Sequence, residues 1–177
     1  CRLLNEEGAL VQHEGNYPFV ESATFADDVK AKGGSYQSGW HFDDNPLWLS
    51  GSASQYKIVK EPENATVIVP QLIQILNANQ ASKTQLLTKD ASNKLFPSQT
   101  DDDVRSIALR YLIHYVGDLH QPLHAVTLYS PQFVSGDRGG NSFHVQGSQG
   151  VSNLHALWDS ALYELGGSPK MPLSPAD

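Results

Sequence analysis

The segment IHYVGDLHQPLH, which ends at His124, contains three histidines and an aspartate. Its His114 and Asp118 are four residues apart, and side chains at this spacing lie on the same face of a helix. His155 and Asp159 repeat the spacing further along the chain. Imidazole nitrogen and carboxylate oxygen are ligands that zinc binds readily. Two such pairs, with His124 nearby in sequence, predict a zinc site on helices that holds more than one ion.

The single cysteine limits which residue types could bind a metal ion. Cys1 is the only cysteine in the chain of 177 residues, so the protein cannot form an internal disulfide. Any metal ligands must therefore be histidine, aspartate or glutamate. Structural zinc sites usually contain cysteine, whereas catalytic sites combine histidine and carboxylate ligands and leave one position open. The ligand set therefore favours a catalytic site.

The net charge of the chain is −7. This charge argues against tight, sequence-tolerant wrapping of nucleic acid, which needs a basic surface. It does not exclude a phosphate substrate, because each bound zinc would add two positive charges where the carboxylates cluster. No apolar run is long enough to cross a bilayer, so no stable membrane association is expected. The length is typical of one domain, and we expect residues 1–177 to form a single domain and the protein to be a monomer.

The hydrophobic and capping patterns predict a mainly α protein. We expect Pro70 to bend the start of the second helix or to push it later, and Pro122 to end the third. The glycine-rich stretch before the last helix is predicted to be a loop with one hairpin, and the proline-rich tail to be unstructured. The predicted helices cover 22–32, 64–79, 100–119 and 153–165, and the other predicted segments are an irregular loop or short extended piece at 36–48, a loop at 80–99 and the glycine-rich loop at 130–151.

Five short motifs resemble one known family. The sequence GDLHQPLH at 117–124 resembles the signature of the S1/P1 nucleases, which are zinc-dependent single-strand nucleases and 3′-nucleotidases. The other four motifs follow the family order, and the match spans roughly 19–165. They are ATFADD at 23–28, WHF at 40–42, GGN at 139–141 and LHALWD at 154–159.

The resemblance implies a set of zinc ligands. It implies a first zinc held by Asp27, His41, His114 and Asp118, and a second held by His124, His155 and Asp159. Asp118 would also bridge to a third zinc. In the family an N-terminal Trp and a following His complete that third site. This chain has no such Trp, so we expect the N-terminal segment of the domain to be missing here and the C-terminal helical region to be shortened.

The resemblance also implies residues that act on the substrate. Asp27, Lys30 and Asp118 would be catalytic, with Lys30 stabilising the charge on the phosphate in the transition state. Phe42, Asp44 and Asn141 would bind the substrate, the aromatic ring by stacking on a base. Asp43 competes with Asp44 for this role, and the sequence leaves the choice open.

The fold implied is a helical zinc phosphoesterase similar to phospholipase C and P1 nuclease. The activity implied is cleavage of single-stranded DNA and RNA to 5′-phosphorylated products, with possible removal of 3′-phosphates from nucleotides. A zinc phospholipase C and a non-catalytic zinc-binding relative are the alternatives. The resemblance and the glycosylation pattern Asn64-Ala65-Thr66 together predict a glycoprotein that is secreted or lysosomal or vacuolar.

Overall fold

The structure is a computed structural model that describes residues 17–49, 51–80, 100–146 and 151–161. Within these ranges the fold is mainly α, as the sequence predicts. Residues 81–99 of the predicted loop at 80–99, the end of the last predicted helix and the proline-rich tail lie outside the described residues. The elements are helices α1 (Pro18–Glu21), α2 (Phe25–Ala31), α3 (Ala65–Asn77), α4 (Asp101–His120), α5 (Pro122–Ala125) and α6 (Leu154–Asp159), strands β1 (Asn45–Trp48) and β2 (Val126–Tyr129), and 3₁₀ turns at Ser22–Thr24, Ser35–His41 and Ala53–Gln55.

The chain divides into two compact units. The first unit comprises residues 1–43 and 61–120, and the second comprises 44–60 and 121–177. Among the described residues, the first unit contains α1 to α4, and the second contains both strands, α5 and α6. The single-domain organisation of residues 1–177 stays a prediction.

Helix α4 begins where its capping residues predict. The Thr100 backbone N–H donates to Asp103 Oδ2 at 2.7 Å, and the Asp103 N–H donates to Thr100 Oγ1 at 3.1 Å. This reciprocal pair satisfies two amides that have no partner inside the helix. The helix ends at His120, one residue beyond the predicted end, and Pro122 then begins the short α5.

The core of the first unit lies where α2 and α3 pack against α4. The rings of Tyr111 and Tyr115 on α4 stack with centroids 5.6 Å apart, and Trp40 packs edge-on against Tyr111. Aromatic pairs of this kind add about 0.5–1.5 kcal/mol beyond the burial of their surface. The core consists of Phe25, Ala26, Val29, Trp40, Ile68, Leu72, Ile75, Val104, Ile107, Ala108, Tyr111 and Tyr115.

Helix α3 contradicts one of the two alternatives expected for Pro70, a later start, and the other, a bend at the start, stays a prediction. The helix begins at Ala65 and contains Pro70, so the proline does not push its start later. Asn64 caps the helix, since its side-chain oxygen accepts a hydrogen bond from the Val67 N–H. The buried side chains of Ile68 and Leu72 lie on either side of the proline and hold the helix against the core.

Besides the short helices α1 and α5 and the 3₁₀ turn at Ala53–Gln55, two larger features were not predicted. The segment 36–48 contains the expected extended piece as β1, but residues 36–41 belong to the 3₁₀ helix Ser35–His41. Strand β2 pairs with β1 in parallel, with Asn45 opposite Val126. In the described part of the predicted hairpin loop, pairing is limited to one antiparallel bridge between His144 and Asn153. None of the helices described here combines the length and the apolar character needed to span a membrane.

Candidate metal sites

The first candidate site, which we name the first cluster, consists of Asp27, His41, His114 and Asp118 in the first unit. Asp27, His41 and His114 each present a ligand atom within 4.8 Å of the other two. Asp118 Oδ2 lies 2.8 Å from His41 Nδ1 and 3.3 Å from His114 Nε2. The two histidines are buried, whereas the Asp27 side chain is 65% exposed. The structure therefore brings together all four residues predicted for the first zinc.

His114 is oriented by a backbone carbonyl. Its Nδ1 donates a hydrogen bond to the carbonyl oxygen of Ala23, so in the neutral ring Nε2 carries the lone pair, and this atom faces the other members of the cluster. Zinc-binding histidines commonly use their second nitrogen in this way. Burial lowers the pKa of His114. Three partners outweigh this effect and raise the pKa above 6.5: Asp118 through a hydrogen bond and its charge, the Ala23 carbonyl through a hydrogen bond, and Asp27 through its charge.

The second candidate site, named the second cluster, consists of His124, His155 and Asp159 in the second unit. Each residue presents a ligand atom within 4.8 Å of the other two. The imidazole rings of His124 and His155 stack with centroids 4.8 Å apart, and Asp159 Oδ2 lies 3.6 Å from His155 Nε2. These are the three residues predicted for the second zinc.

The second cluster repeats the histidine geometry of the first. His155 Nδ1 donates to the carbonyl oxygen of Gly139 at 2.7 Å, which again leaves Nε2 to face a carboxylate four residues along the helix. Gly139 has a φ of +59°, and a Cβ there would lie 2.3 Å from the Leu123 carbonyl oxygen. Only glycine fits this close approach of the two backbones. The approach places the Gly139 carbonyl oxygen against the His155 ring.

The ligand types and the geometry of both clusters fit zinc. The first cluster offers two imidazoles and two carboxylates, and the second offers two imidazoles and one carboxylate. Zinc takes both atom types in tetrahedral sites, and catalytic sites use three protein ligands with an open position. A carbonyl fixes the tautomer of one histidine in each cluster. The residues present therefore suit this metal.

The predicted substrate residues are placed separately in the two units. In the first unit, Lys30 is half-buried on α2, one turn after Asp27, and the half-buried Phe42 follows His41 with ring centroids 6.1 Å apart. In the second unit, Asn141 is exposed, and its side chain donates to the Arg138 carbonyl oxygen at 2.9 Å.

The two neighbouring carboxylates, Asp43 and Asp44, differ in their surroundings. Asp43 is buried, and its Oδ1 accepts a hydrogen bond from Thr66 Oγ1 at 2.9 Å. Asp44 is half-buried in the second unit with a φ of +49°, and its Oδ1 accepts from Thr127 Oγ1 at 2.6 Å. Asp43 thus stabilises the start of α3 through its hydrogen bond with Thr66. Binding of the substrate by Asp44 stays a prediction.

Sequence reasoning missed Gln121. Its Nε2 donates to Asp159 Oδ1 at 3.0 Å, and its Oε1 accepts from the Leu123 N–H at 2.6 Å. The glutamine therefore caps α5 and orients a carboxylate of the second cluster at the same time. Its position directly before Pro122 was the available signal, because proline often occupies the first position of a helix.

Comparison with known proteins agrees with this geometry. A family profile described as S1/P1 Nuclease matches residues 3–172. Endonuclease 4 of Arabidopsis thaliana is 42% identical over 57 residues, and Endonuclease 5 of the same plant is 44% identical over 57 residues. Nuclease S1 of Aspergillus oryzae is 37% identical over 57 residues. Each alignment covers 32% of this chain and 17% of the relative.

No solved structure matches the chain. The chain aligns with only a small part of the length of its curated relatives, but the family profile extends over nearly all of it. By this match the chain belongs to the S1/P1 nuclease family.

Proposed function

We propose that this protein uses zinc to hydrolyse phosphodiester bonds in single-stranded DNA and RNA, leaving 5′-phosphorylated products, and that it also removes 3′-phosphates from nucleotides. The observation that carries the proposal is the assembly of two histidine–aspartate clusters in a chain of this family. The names of the relatives, endonucleases and Nuclease S1, support nucleic acid as the substrate.

The two clusters would hold the metal. Bound zinc lowers the pKa of a coordinated water and stabilises negative charge on phosphate oxygens. His114 and His155 are held with Nε2 directed at their clusters, so neither ring needs to reorient to bind a cation. Asp27 and Asp118 supply the negative charge that attracts the cation, and the exposed Asp27 is the member of the first cluster that a substrate reaches from solvent.

The remaining residues would bind the nucleic acid. The position of Lys30, one turn after Asp27, supports a role in stabilising the charge of the transition state. Phe42 is half-buried rather than part of the core, which supports stacking of an unpaired base on its ring. Asp44 is proposed to hydrogen bond with base edges or to orient a water molecule, and Asn141 to help shape the nucleotide site.

The finer assignments extend the proposal. They include a third zinc bridged by Asp118, a monomeric state and a secreted or lysosomal or vacuolar location. Metal analysis of the purified protein tests the number of zinc ions. Sedimentation tests the monomer, and imaging of the tagged natural protein tests the location.

Hydrolysis of denatured DNA and of RNA by the purified natural protein, with and without a zinc chelator, tests the central proposal. We expect cleavage that stops with the chelator, returns with added zinc and leaves 5′-phosphate ends. Duplex DNA of the same sequence is the control, and we expect it to be cleaved much more slowly because its bases stay stacked.

The same experiment separates the alternatives. A phosphatidylcholine vesicle in a parallel reaction tests the phospholipase activity that a similar ligand set would support. Release of the phosphorylated headgroup without cleavage of nucleic acid would replace the proposal. A folded, zinc-loaded protein that cleaves neither substrate would point to a non-catalytic zinc-binding relative.

A further inference from the structure

Gln37 is a fully buried amide at the centre of the first unit, with 0% of its surface exposed. Its Nε2 donates to the Ala26 carbonyl oxygen at 3.0 Å, and its Oε1 accepts a hydrogen bond from the Tyr115 hydroxyl. A buried amide is costly unless its polar atoms are paired, and here both ends of the group have a partner. The two hydrogen bonds therefore fix the position and the orientation of the Gln37 amide within the core.

The partners of Gln37 adjoin the first cluster in sequence and in space. Ala26 directly precedes Asp27 on α2, and Tyr115 directly follows His114 on α4. Gln37 itself lies about one helical turn before His41, in the 3₁₀ helix that ends at that histidine. One side chain thus links the three segments that carry Asp27, His41 and His114.

The ring of Tyr115 adds a second contact with the same residues. Its centroid lies 5.0 Å from that of His41 at an interplanar angle of 86°. It lies 5.6 Å from that of His114 at 89°. Both imidazoles therefore meet this tyrosine edge to face. The hydrogen bond from the Tyr115 hydroxyl to Gln37 therefore also restrains the ring that contacts both histidines.

We propose that Gln37 is a positioning residue for the first cluster, which acts through Ala26 and Tyr115 to hold the ligand-bearing segments at the spacing that a divalent cation requires. The inference rests on the proposed function, since it assumes that the first cluster binds zinc. Residues that orient metal ligands typically change affinity by 10–100-fold when they are replaced. Gln37 acts one step further from the ligands, so we expect a loss of about tenfold, at the low end of this range.

The test is zinc affinity, measured in the purified natural protein by competition with a chromophoric chelator. Gln37→Met keeps the length of the side chain and removes both hydrogen bonds. Ser106→Ala is the matched control, because Ser106 is likewise buried and accepts a hydrogen bond from Arg110, and it lies about two helical turns before His114 on α4. We expect Gln37→Met to weaken one class of zinc site about tenfold and Ser106→Ala to leave both classes unchanged.

Two further measurements make the role specific. The visible absorption of the cobalt-substituted protein reports ligand geometry, and we expect Gln37→Met to alter it while Ser106→Ala does not. Tyr115→Phe removes one hydrogen bond and keeps the ring. Because it acts on the same network, the losses of Gln37→Met and Tyr115→Phe should not add in the double variant. If Gln37→Met fails to fold, an unchanged zinc affinity in Tyr115→Phe would overturn the inference.

Other outcomes separate this inference from the proposed function. Equal effects of Gln37→Met and Ser106→Ala, in a protein that binds zinc and cleaves nucleic acid, would overturn the role of Gln37 alone. Loss of affinity in Gln37→Met, in a protein that binds zinc but cleaves no nucleic acid, would support Gln37 and overturn the nuclease. A natural protein that binds no zinc would overturn both.

Discussion

At the scale of single residues, His114 responds to pH in opposite ways with and without metal. In the metal-free protein its raised pKa means that the protonated ring is favoured by folding. This contribution to stability is complete below the unfolded pKa of 6.5 and is lost as pH rises through the higher folded pKa. A bound cation requires the neutral ring, so the stabilisation by zinc should instead increase as pH rises.

The difference in free energy of unfolding between the natural protein and His114→Gln measures both trends. With chelator present, we expect the difference to shrink as pH rises from about 6 to about 8. With zinc present, we expect it to grow over the same range. Denaturant titrations at several pH values provide the measurement. A difference that follows the same direction in both conditions would contradict the assignment of His114 as a ligand.

Gln121 offers a second prediction at this scale. Gln121→Ala removes the hydrogen bond to Asp159 and the cap of α5. We expect zinc affinity at the second cluster to fall about tenfold, because one carboxylate loses its orientation. Competition with a chromophoric chelator measures this loss. Asn64→Ala is the control, since it removes a helix cap in the other unit and should leave the zinc affinity of the second cluster unchanged.

The candidate ligands were easier to predict than the residues that orient them. Histidine and aspartate four residues apart are visible in the sequence because helix geometry puts them on one face. Gln37 and Gln121 show no comparable pattern. Their importance follows from the 3₁₀ helix at Ser35–His41 and the cap of α5, and both depend on tertiary packing. Ala23 and Gly139 orient the histidines through their backbone carbonyls, so their side chains give no sequence pattern that could predict this role.

At the scale of elements, predictability followed the strength of local signals. Helix α4 has acidic residues and a capping threonine at its start and a proline just after its end, so both ends were predicted within one residue. The parallel pairing of β1 and β2 was missed. Each strand has only four residues, and the two are far apart in sequence, so neither shows a periodic pattern. Tertiary contacts decide such short strands.

The start of α3 gives the prediction for this scale. Asn64 is buried, accepts a hydrogen bond from the Val67 N–H at 3.2 Å and donates one to the Glu61 carbonyl oxygen at 3.1 Å. We expect Asn64→Ala to lower the free energy of unfolding by about 1–2 kcal/mol, as measured by denaturant titration. Asn64→Asp keeps the capping oxygen and should lose less.

The same environment bears on glycosylation. A glycan would replace one of the two hydrogens on the Asn64 side-chain nitrogen, which donates to Glu61, and would have to leave a buried position. We therefore expect the folded natural protein to carry an unmodified Asn64, although the residue begins a glycosylation pattern. Mass spectrometry of the peptide that contains Asn64 measures this directly. A glycan found there on folded, active protein would contradict the burial of this side chain.

At the scale of the whole molecule, each cluster draws all its described members from one unit. This was predictable only in part, because the sequence indicated the ligands but not the division of the chain. Its consequence is that damage to one cluster should leave the other able to bind. We expect His114→Gln and His155→Gln each to lose one class of zinc site and to retain the other, as measured by metal analysis after gel filtration.

Removal of zinc should destabilise the whole protein. A ligand that binds only the folded state stabilises it by about 2.7 kcal/mol at a free concentration of 100 times Kd, so a chelator should lower Tm by several degrees. Calorimetry of the natural protein and of both variants, with and without chelator, measures this shift. Because each variant keeps one cluster, its shift should be smaller than that of the natural protein. An equal Tm with and without chelator, in protein shown to contain zinc, would mean that the metal binds without linkage to folding.

The number of calorimetric transitions also tests the single-domain prediction, which expects one transition because residues 1–177 would then unfold cooperatively.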